Sequence, residues 1–354
     1  MSDVLDPSSP AAHGETSQWL AFQQDYAFRP REAARLLAED RAAALAPYAG
    51  AERGAALARL ARLGARGVPL GGAEYPPRLA RLADPAPLLW VRGDVAALRS
   101  PAVAIVGSRA PSGYGLTVAR ALARALASAG LAIVSGLARG IDAAAHEGAL
   151  EAGGRTIAFQ ACGPDLVYPA AHRRLAERIA RAGAVASELP PGAPPRAPHF
   201  PLRNRLISGA SLAVVAVEAR ERSGTLVTVR HAAEQGVEVL AVPGPIDAPT
   251  SRGTNALLRD GARMLLDVRD VLDAIGVDVA IAPAPEPEAV RLSALARAAL
   301  AALAETPAAR DALGRRLGQP PETLGPALLE LELAGRIAED RDGRLRATGT
   351  VFAE

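Results

Sequence analysis

The chain has 354 residues, a formal net charge of +2, 49% hydrophobic residues and 3% aromatic residues. That length suits two or three domains, and that apolar content excludes wholesale disorder. Every one of the 40 basic residues is arginine, so any anion site is built from a permanent charge that forks onto phosphate oxygens and stacks on bases. Residues 31–45 and 51–63 place apolar side chains at helical spacing, and Gly64, Gly67, Gly71 and Gly72 then break the pattern. Tyr75-Pro76-Pro77 and Asp84-Pro85-Ala86-Pro87 mark turns before a short strand, Leu88–Val91. Residues 1–97 thus read as a helical N-terminal module with an extended connection.

From Val103 short apolar runs alternate with amphipathic helices. The runs are Val103–Val106, Leu131–Val134, Thr156–Phe159, Ala184–Ala186, Leu212–Val217 and Val237–Val242. Between them the spacing predicts helices over Gly115–Ala129, Ile141–Ala152, His172–Ala182 and Thr225–Gln235. Runs without polar alternation are buried on both faces, as parallel strands are. Residues 98–277 therefore predict an α/β domain, an extended Rossmann-like, doubly wound parallel sheet. Pro283, Pro285 and Pro287 among alanines and acids make 278–289 a linker. In 290–354, helices over Leu292–Ala304, Ala308–Leu317 and Pro321–Ala334 precede a hairpin through Asp342-Gly343 and Leu345–Thr350, the order of a winged-helix domain.

Charge is uneven along the chain. Residues 98–275 hold 20 Arg against 15 acids, whereas 286–354 hold 9 Arg against 11 acids, so the middle of the chain is the place for an anionic ligand. A single cysteine, Cys162, excludes intrachain disulfides and a cysteine-based zinc site, and reads as a buried spectator. Met1–Gly14 lacks the pattern of a signal peptide, and no run approaches the ~20 apolar residues of a membrane helix, so a soluble, cytoplasmic protein without membrane contact is expected.

The first βα turn is Gly107-Ser108-Arg109-Ala110-Pro111-Ser112-Gly113. It offers a hydroxyl and a guanidinium over a helix N-terminus, but its spacing is not that of a dinucleotide fingerprint. The second strand ends not in a ribose-binding acid but in Gly136-Leu137-Ala138-Arg139-Gly140-Ile141-Asp142, another glycine and arginine loop. A proline-rich stretch then leads to Phe200-Pro201-Leu202-Arg203-Asn204-Arg205, where Pro198 and Pro201 are expected to hold the chain extended and the residues after Leu202 to form a short helix. There Phe200 would stack on a base while Arg196, Arg203 and Arg205 meet phosphates. Ser223-Gly224-Thr225 opens a further helix as a third phosphate cradle, and Val242-Pro243-Gly244-Pro245 forms another loop on the same edge. Several such loops make a broad floor, better matched to a strand of phosphates than to one small ligand.

These ordered motifs, with Ser223-Gly224-Thr225-Leu226 and Ala241-Val242-Pro243-Gly244 completing the set, resemble the DNA-processing protein A (DprA) family over residues 75–275. The resemblance implies a bacterial protein of natural transformation that binds and protects incoming single-stranded DNA, dimerises through its Rossmann-like domain and loads the RecA recombinase. It also implies a SAM-like character for the N-terminal helices. On that basis Gly107, Ser108, Arg109, Gly136, Arg139, Gly140, Phe200, Arg203, Asn204, Arg205, Ser223, Gly224 and Thr225 would line the DNA pocket. Many relatives place lysines there; here His172, Arg173 and Arg196 would substitute.

The five histidines show no metal spacing and no paired nucleophile, and Asp142 has the position of a helix cap. A binding protein without catalysis, metal or cofactor is therefore expected. An alternative is a nucleotide phosphoribohydrolase on a similar fold, but Ser223–Thr228 lacks the glutamate of that family's PGGxGTxxE segment. Another is a regulator reading duplex DNA through the winged helix, but Pro321–Ala334 carries Glu322, Glu330 and Glu332 and no arginine.

Overall fold

The computed structural model describes residues 4–277, 292–333, 336–340 and 342–347. Two units, Met1–Ile281 and Ala282–Glu354, divide the chain. In the first, helices α1 (His13–Tyr26), α2 (Pro30–Leu45) and α3 (Gly54–Arg62) precede strand β1 (Ala65–Pro69), the one-turn α4 (Pro77–Ala80) and β2 (Leu88–Gly93). Trp19, Leu20, Phe22, Leu37, Leu57 and Leu60 close over Leu88 and Trp90 of β2. Gln23 is fully buried among them. Its Oε1 accepts from Trp90 Nε1 at 2.8 Å, and its Nε2 donates to the carbonyls of Leu88 (3.2 Å) and Glu188 (2.8 Å). The N-terminal helices are thereby bolted onto the sheet. Strand β1 lies where glycines break the sequence pattern; its antiparallel partner β2 and the bridge from Leu5 to Gly67 supply its pairing.

The remaining strands follow the βα alternation. They are β3 (Ala102–Val106), β4 (Ala132–Ser135), β5 (Thr156–Phe159), β6 (Ala184–Ser187), β7 (Ala213–Ala216), β8 (Glu238–Ala241) and β9 (Arg263–Met264). The sheet order is β1-β2-β6-β5-β4-β3-β7-β8-β9, parallel from β6 to β9 with β1 and β2 antiparallel at one edge. Successive crossovers from β3 to β6 use α5 (Gly113–Ser128), α6 (Ile141–Glu151) and α7 (Arg173–Ala182). The chain then reverses direction across the sheet through α8 (His199–Gly209), α9 (Gly224–Glu234) and α10 (Arg252–Arg259), and α11 (Val268–Ile275) ends the unit. Right-handed crossovers running in opposite directions cover opposite faces, which gives the doubly wound α/β fold.

In the second unit, α12 (Ala294–Glu305), β10 (Ala308–Ala309), α13 (Arg310–Leu317), α14 (Pro321–Leu333), β11 (Ile337–Glu339) and β12 (Arg344–Ala347) form a winged helix with strand order β10-β12-β11. Ala308 and Ala309, read from sequence as the start of a helix, instead pair with Leu345 and Arg344 of β12. The predicted linker, 278–289, and the end of the predicted hairpin, 348–350, lie outside the described residues. Two of the three acids of α14 work within the domain. Glu332 pairs with Arg310 at 2.8 Å, and Glu330 Oε1 accepts from the Ser293 backbone at 2.8 Å.

His146 shows how little polarity the core of the first unit tolerates. Thr156 Oγ1 donates its proton to the Ile133 carbonyl, so His146 Nδ1 must carry a proton and donate to Thr156 Oγ1 at 2.7 Å. Nε2 is buried without a partner. Burial, followed by the charges of His172 and Arg203, pushes the imidazole down to about 3 from its ordinary 6.5. The unfolded chain takes up this proton below about pH 6.5 and the folded chain does not. The associated stability is complete above that pH and drains away between about pH 6.5 and 3, by up to about 1.4 kcal/mol per pH unit. Urea unfolding from pH 7 to 4 should show wild type losing more stability than His146→Leu over that window.

Candidate nucleic-acid interface

The strand order reverses between β3 and β7, and the loops leaving the carboxyl ends of β3, β4, β5 and β7 converge there. The first loop, Gly107–Ser112, packs Gly107 against Ile141 of α6. Ser108 is buried, its Oγ accepting from the Ala110 backbone at 3.1 Å. Ser112 caps α5, and its backbone N–H and Oγ donate to the two oxygens of Glu218 at 2.9 and 2.5 Å. Glu218 is buried at the exit of β7. The α5 N-terminus, where a Rossmann sheet ordinarily holds a pyrophosphate, is met by the protein's own carboxylate. That arrangement leaves Arg109, exposed beyond the loop, as the group that faces outward.

The second loop is held from inside by Asp142. Its Oδ2 accepts from the backbone of Gly136 (3.1 Å) and Ala138 (3.2 Å), folding the turn back onto the start of α6. Between them Leu137 adopts φ +58 with its side chain fully buried. A leucine in the left-handed region costs about 1–2 kcal/mol, and packing against Ala158, Leu175 and Ile179 offsets it. Gly140 has φ +78, and a Cβ there would stand 2.3 Å from the Ser108 carbonyl, so only glycine lets the two loops touch. Arg139 is left exposed on the crest. His172 Nδ1 donates to the Leu137 carbonyl at 3.0 Å, bringing the start of α7 and Arg173 alongside.

Helix α8 supplies the floor. Pro198 and Pro201 do not hold the chain extended. The helix starts at His199, and Pro201 sits in the first turn, where its missing N–H is not needed. Arg203 and Arg205 are 4% and 2% exposed, so neither is an outward phosphate arm. Arg203 donates to the carbonyls of Gly136 (2.6 Å) and Phe159 and, through Nε, to Asn204 Oδ1 at 3.2 Å. Burial pushes it down to about 10 against the opposing pull of Asp142, so it remains charged at neutral pH. Asn204 Nδ2 then reaches the Gly224 carbonyl at 3.4 Å, tying the floor to the Ser223-Gly224-Thr225 turn. Ser223 caps α9 by accepting from the Thr225 backbone at 3.2 Å. Arg205 forks onto Glu188 at 3.0 and 2.7 Å, with Asp84 3.3 Å from its Nε.

What faces outward is smaller than the sequence implied. Arg109 Cζ lies 5.0 Å from the centroid of the Phe200 ring, a cation–π contact. Phe200 meets Tyr168 edge-on at 5.8 Å, and Tyr168 is 48% exposed. Beside them Phe28, 60% exposed, stacks on His199 at 5.1 Å. Arg139, Arg173 and Arg196 are exposed, and no acid among the described residues pairs with them or with Arg109. Tyr168 was legible as an aromatic five residues before Arg173, by the reasoning that singled out Phe200. Glu218 was not, because its partner Ser112 lies 106 residues away. The Cys162 thiol is pushed up to about 11, chiefly by burial, and stays protonated.

The model of the DNA recombination-mediator protein A family matches residues 68–276, and that of the DprA winged helix domain matches 282–343. The chain belongs to this family. It is 41% identical over 286 residues to Protein Smf of Escherichia coli, covering 79% of this chain and 76% of that protein. With DNA processing protein DprA of Bacillus subtilis it shares 38% identity over 220 residues, 62% of this chain and 74% of the relative. The solved DprA structure from Streptococcus pneumoniae superposes with a TM-score of 0.60 at 35% identity, covering 74% of this chain and 94% of that one. DNA processing protein A of Helicobacter pylori, described for its single-stranded DNA binding mode, gives 0.54 at 32% identity, covering 58% and 94%.

Removing Arg205 leaves Glu188 buried and unpaired. Arg205→Ala is expected to lower the unfolding free energy by about 3–5 kcal/mol in urea melts. Arg139→Ala, on the open crest, should stay within about 0.5 kcal/mol of wild type.

Proposed function

We propose that this chain binds single-stranded DNA across the Arg109–Phe200–Tyr168 platform. The observation that carries this reading is an outward aromatic pair, topped by a guanidinium and ringed by arginines without acid partners. Every base presents a π face, so such a platform accepts a strand without reading its sequence, while the arginines follow its phosphates. Membership of the family and likeness to the Helicobacter pylori protein support the same reading. Arg109, Arg139, Arg173 and Arg196 then make phosphate contacts. Arg203, Asn204 and Arg205 hold the floor, Gly107, Ser108, Gly136 and Gly140 let the loops meet, and Ser223, Gly224 and Thr225 form the wall beyond Asn204.

The proposal extends to binding without catalysis, to protection of incoming strands in the cytoplasm during natural transformation, and to their delivery to a RecA-type recombinase. Among the described residues no helix is long and apolar enough to cross a membrane, and no group of three His, Cys, Asp or Glu side chains could hold a metal. A homodimer through the Rossmann-like domain is part of the same proposal. In the loop after β8 Ile246 is 91% exposed, and just after the edge strand β9 Leu266 is 68% exposed, apolar surface that a second copy would cover.

In mobility-shift titrations the chain should prefer a single strand to duplex of equal length, with affinity falling steeply as salt rises. Loss of a stacked base costs about 1–3 kcal/mol, so Phe200→Ala should weaken binding about 5- to 150-fold. Arg109→Ala should weaken binding and reduce the salt slope by about 0.7 per lost phosphate contact. Equal affinity for duplex, or unchanged binding in both variants, would sink the platform. Sedimentation of Ile246→Asp with Leu266→Asp should show a monomer if that edge is the dimer face.

A further inference from the structure

A second basic site lies on the opposite edge of the same sheet, away from the platform. Parallel crossovers run their helices back against the strands, so the C-terminal ends of α8 and α9 reach the amino edge of β7 and β8. There a cavity of about 610 Å³ is lined by Arg31 at the start of α2, Arg78 and Arg81 in and after α4, Gly209, and His231 and Gln235 in and after α9. Leu82, Ala83 and Val237 give it apolar wall. Its volume falls within the about 300–1,000 Å³ usual for small-ligand sites.

The electrostatics of this cavity are unbalanced. Asp84, one of its two lining acids, is engaged by Arg205 at 3.3 Å. The other, Glu234, lies 3.5 Å from His231. Arg31 and Arg81 pair with no acid among the described residues. Arg78 gives one N–H to the Ser211 carbonyl at 2.6 Å. Burial and then the charge of Arg81 lower its proton affinity, a repulsion that a bound anion would relieve. A second observation concerns Gln235. Its Nε2 donates to the Arg205 carbonyl at 3.0 Å, which fixes the amide, and its Oε1 is buried with no donor. A buried acceptor left unmet is destabilising, and a ligand N–H reaching it would recover that loss.

We propose that this cavity binds a nucleoside monophosphate, with Arg31, Arg78 and Arg81 on the phosphate and Gln235 accepting from a base N–H. Leu82, Ala83 and Val237 supply the apolar contact that a base or sugar needs, which a site for bare phosphate would not require. The site is separate from the strand-binding platform and does not depend on it. It shares with the platform one helix, α8, through the Asp84–Arg205 pair.

The test is calorimetric titration of the full chain with dAMP, inorganic phosphate and deoxyadenosine, alongside mobility shifts with an unphosphorylated single-stranded oligonucleotide. Expected are dAMP binding at least tenfold tighter than phosphate, and no detectable binding of deoxyadenosine. Arg81→Glu and Arg31→Glu, both at exposed positions, should weaken dAMP at least tenfold and leave oligonucleotide affinity within twofold. Gln235→Met should weaken dAMP while leaving phosphate unchanged, and Arg109→Ala should leave dAMP unchanged. Thermal melts of each variant confirm that it is folded. Absence of dAMP binding, equal binding of phosphate, or loss in Arg109→Ala with retention in Arg81→Glu overturns the site. A loss of oligonucleotide binding in Arg81→Glu without dAMP binding overturns it in favour of a track for the strand itself.

Discussion

Arg203 is a charge buried at the point where two strands end, and the geometry of the interface follows from how that charge is satisfied. Its guanidinium takes the carbonyls that β4 and β5 leave open at Gly136 and Phe159, and Asp142 opposes its charge. A buried guanidinium is tolerable only when its donors are met and a counter-charge is near. Meeting both conditions ties α8 to the second loop and to the end of β5 through one side chain. Asp142 in turn folds Gly136–Ala138 back onto α6, which sets where Arg139 stands.

The same logic explains why this Rossmann-like sheet is poorly suited to a dinucleotide. Glu218 occupies the α5 N-terminus through Ser112, and Asp142 engages the backbone before α6. Two carboxylates of the protein stand where phosphates would otherwise bind. On the proposed function, anion recognition is displaced outward onto side chains. Arginines and rings on loop crests suit a flexible polymer better than a fixed cofactor, since each contact is local and the contacts need not close around one molecule.

Buried ion pairs at this edge serve placement more than net stability. The fork of Arg205 onto Glu188 sets its Coulomb attraction against the cost of taking both charges out of water, so the pair is weak evidence for net stability. What it fixes is the rotation of α8, and with it the direction in which Phe200, five residues earlier, presents its ring. Gln23 performs a parallel service for the N-terminal helices, joining α1 to β2 and to the exit of β6 in one hydrogen-bonded node. That attachment carries Phe28 to His199, beside the platform, although the two lie far apart in sequence.

The sequence by itself determined the alternation of apolar runs and helices, hence the doubly wound sheet, because burial on both faces leaves no polar register in a strand. It also determined which loops carry glycine and arginine, since these are local properties of strand ends. It could not separate outward arginines from buried ones. Arg203 and Arg205 stand two residues from each other and three to five from Phe200, with nothing in that spacing to mark them as interior. Their burial depends on Asp142, Glu188 and two backbone carbonyls from distant strands, partners that only the tertiary structure brings within hydrogen-bond reach. Strand β1 and Glu218 were illegible for the same reason: one exists through a partner strand and the other acts on a serine 106 residues away. Charge type is written in the chain, and charge exposure is decided by the fold.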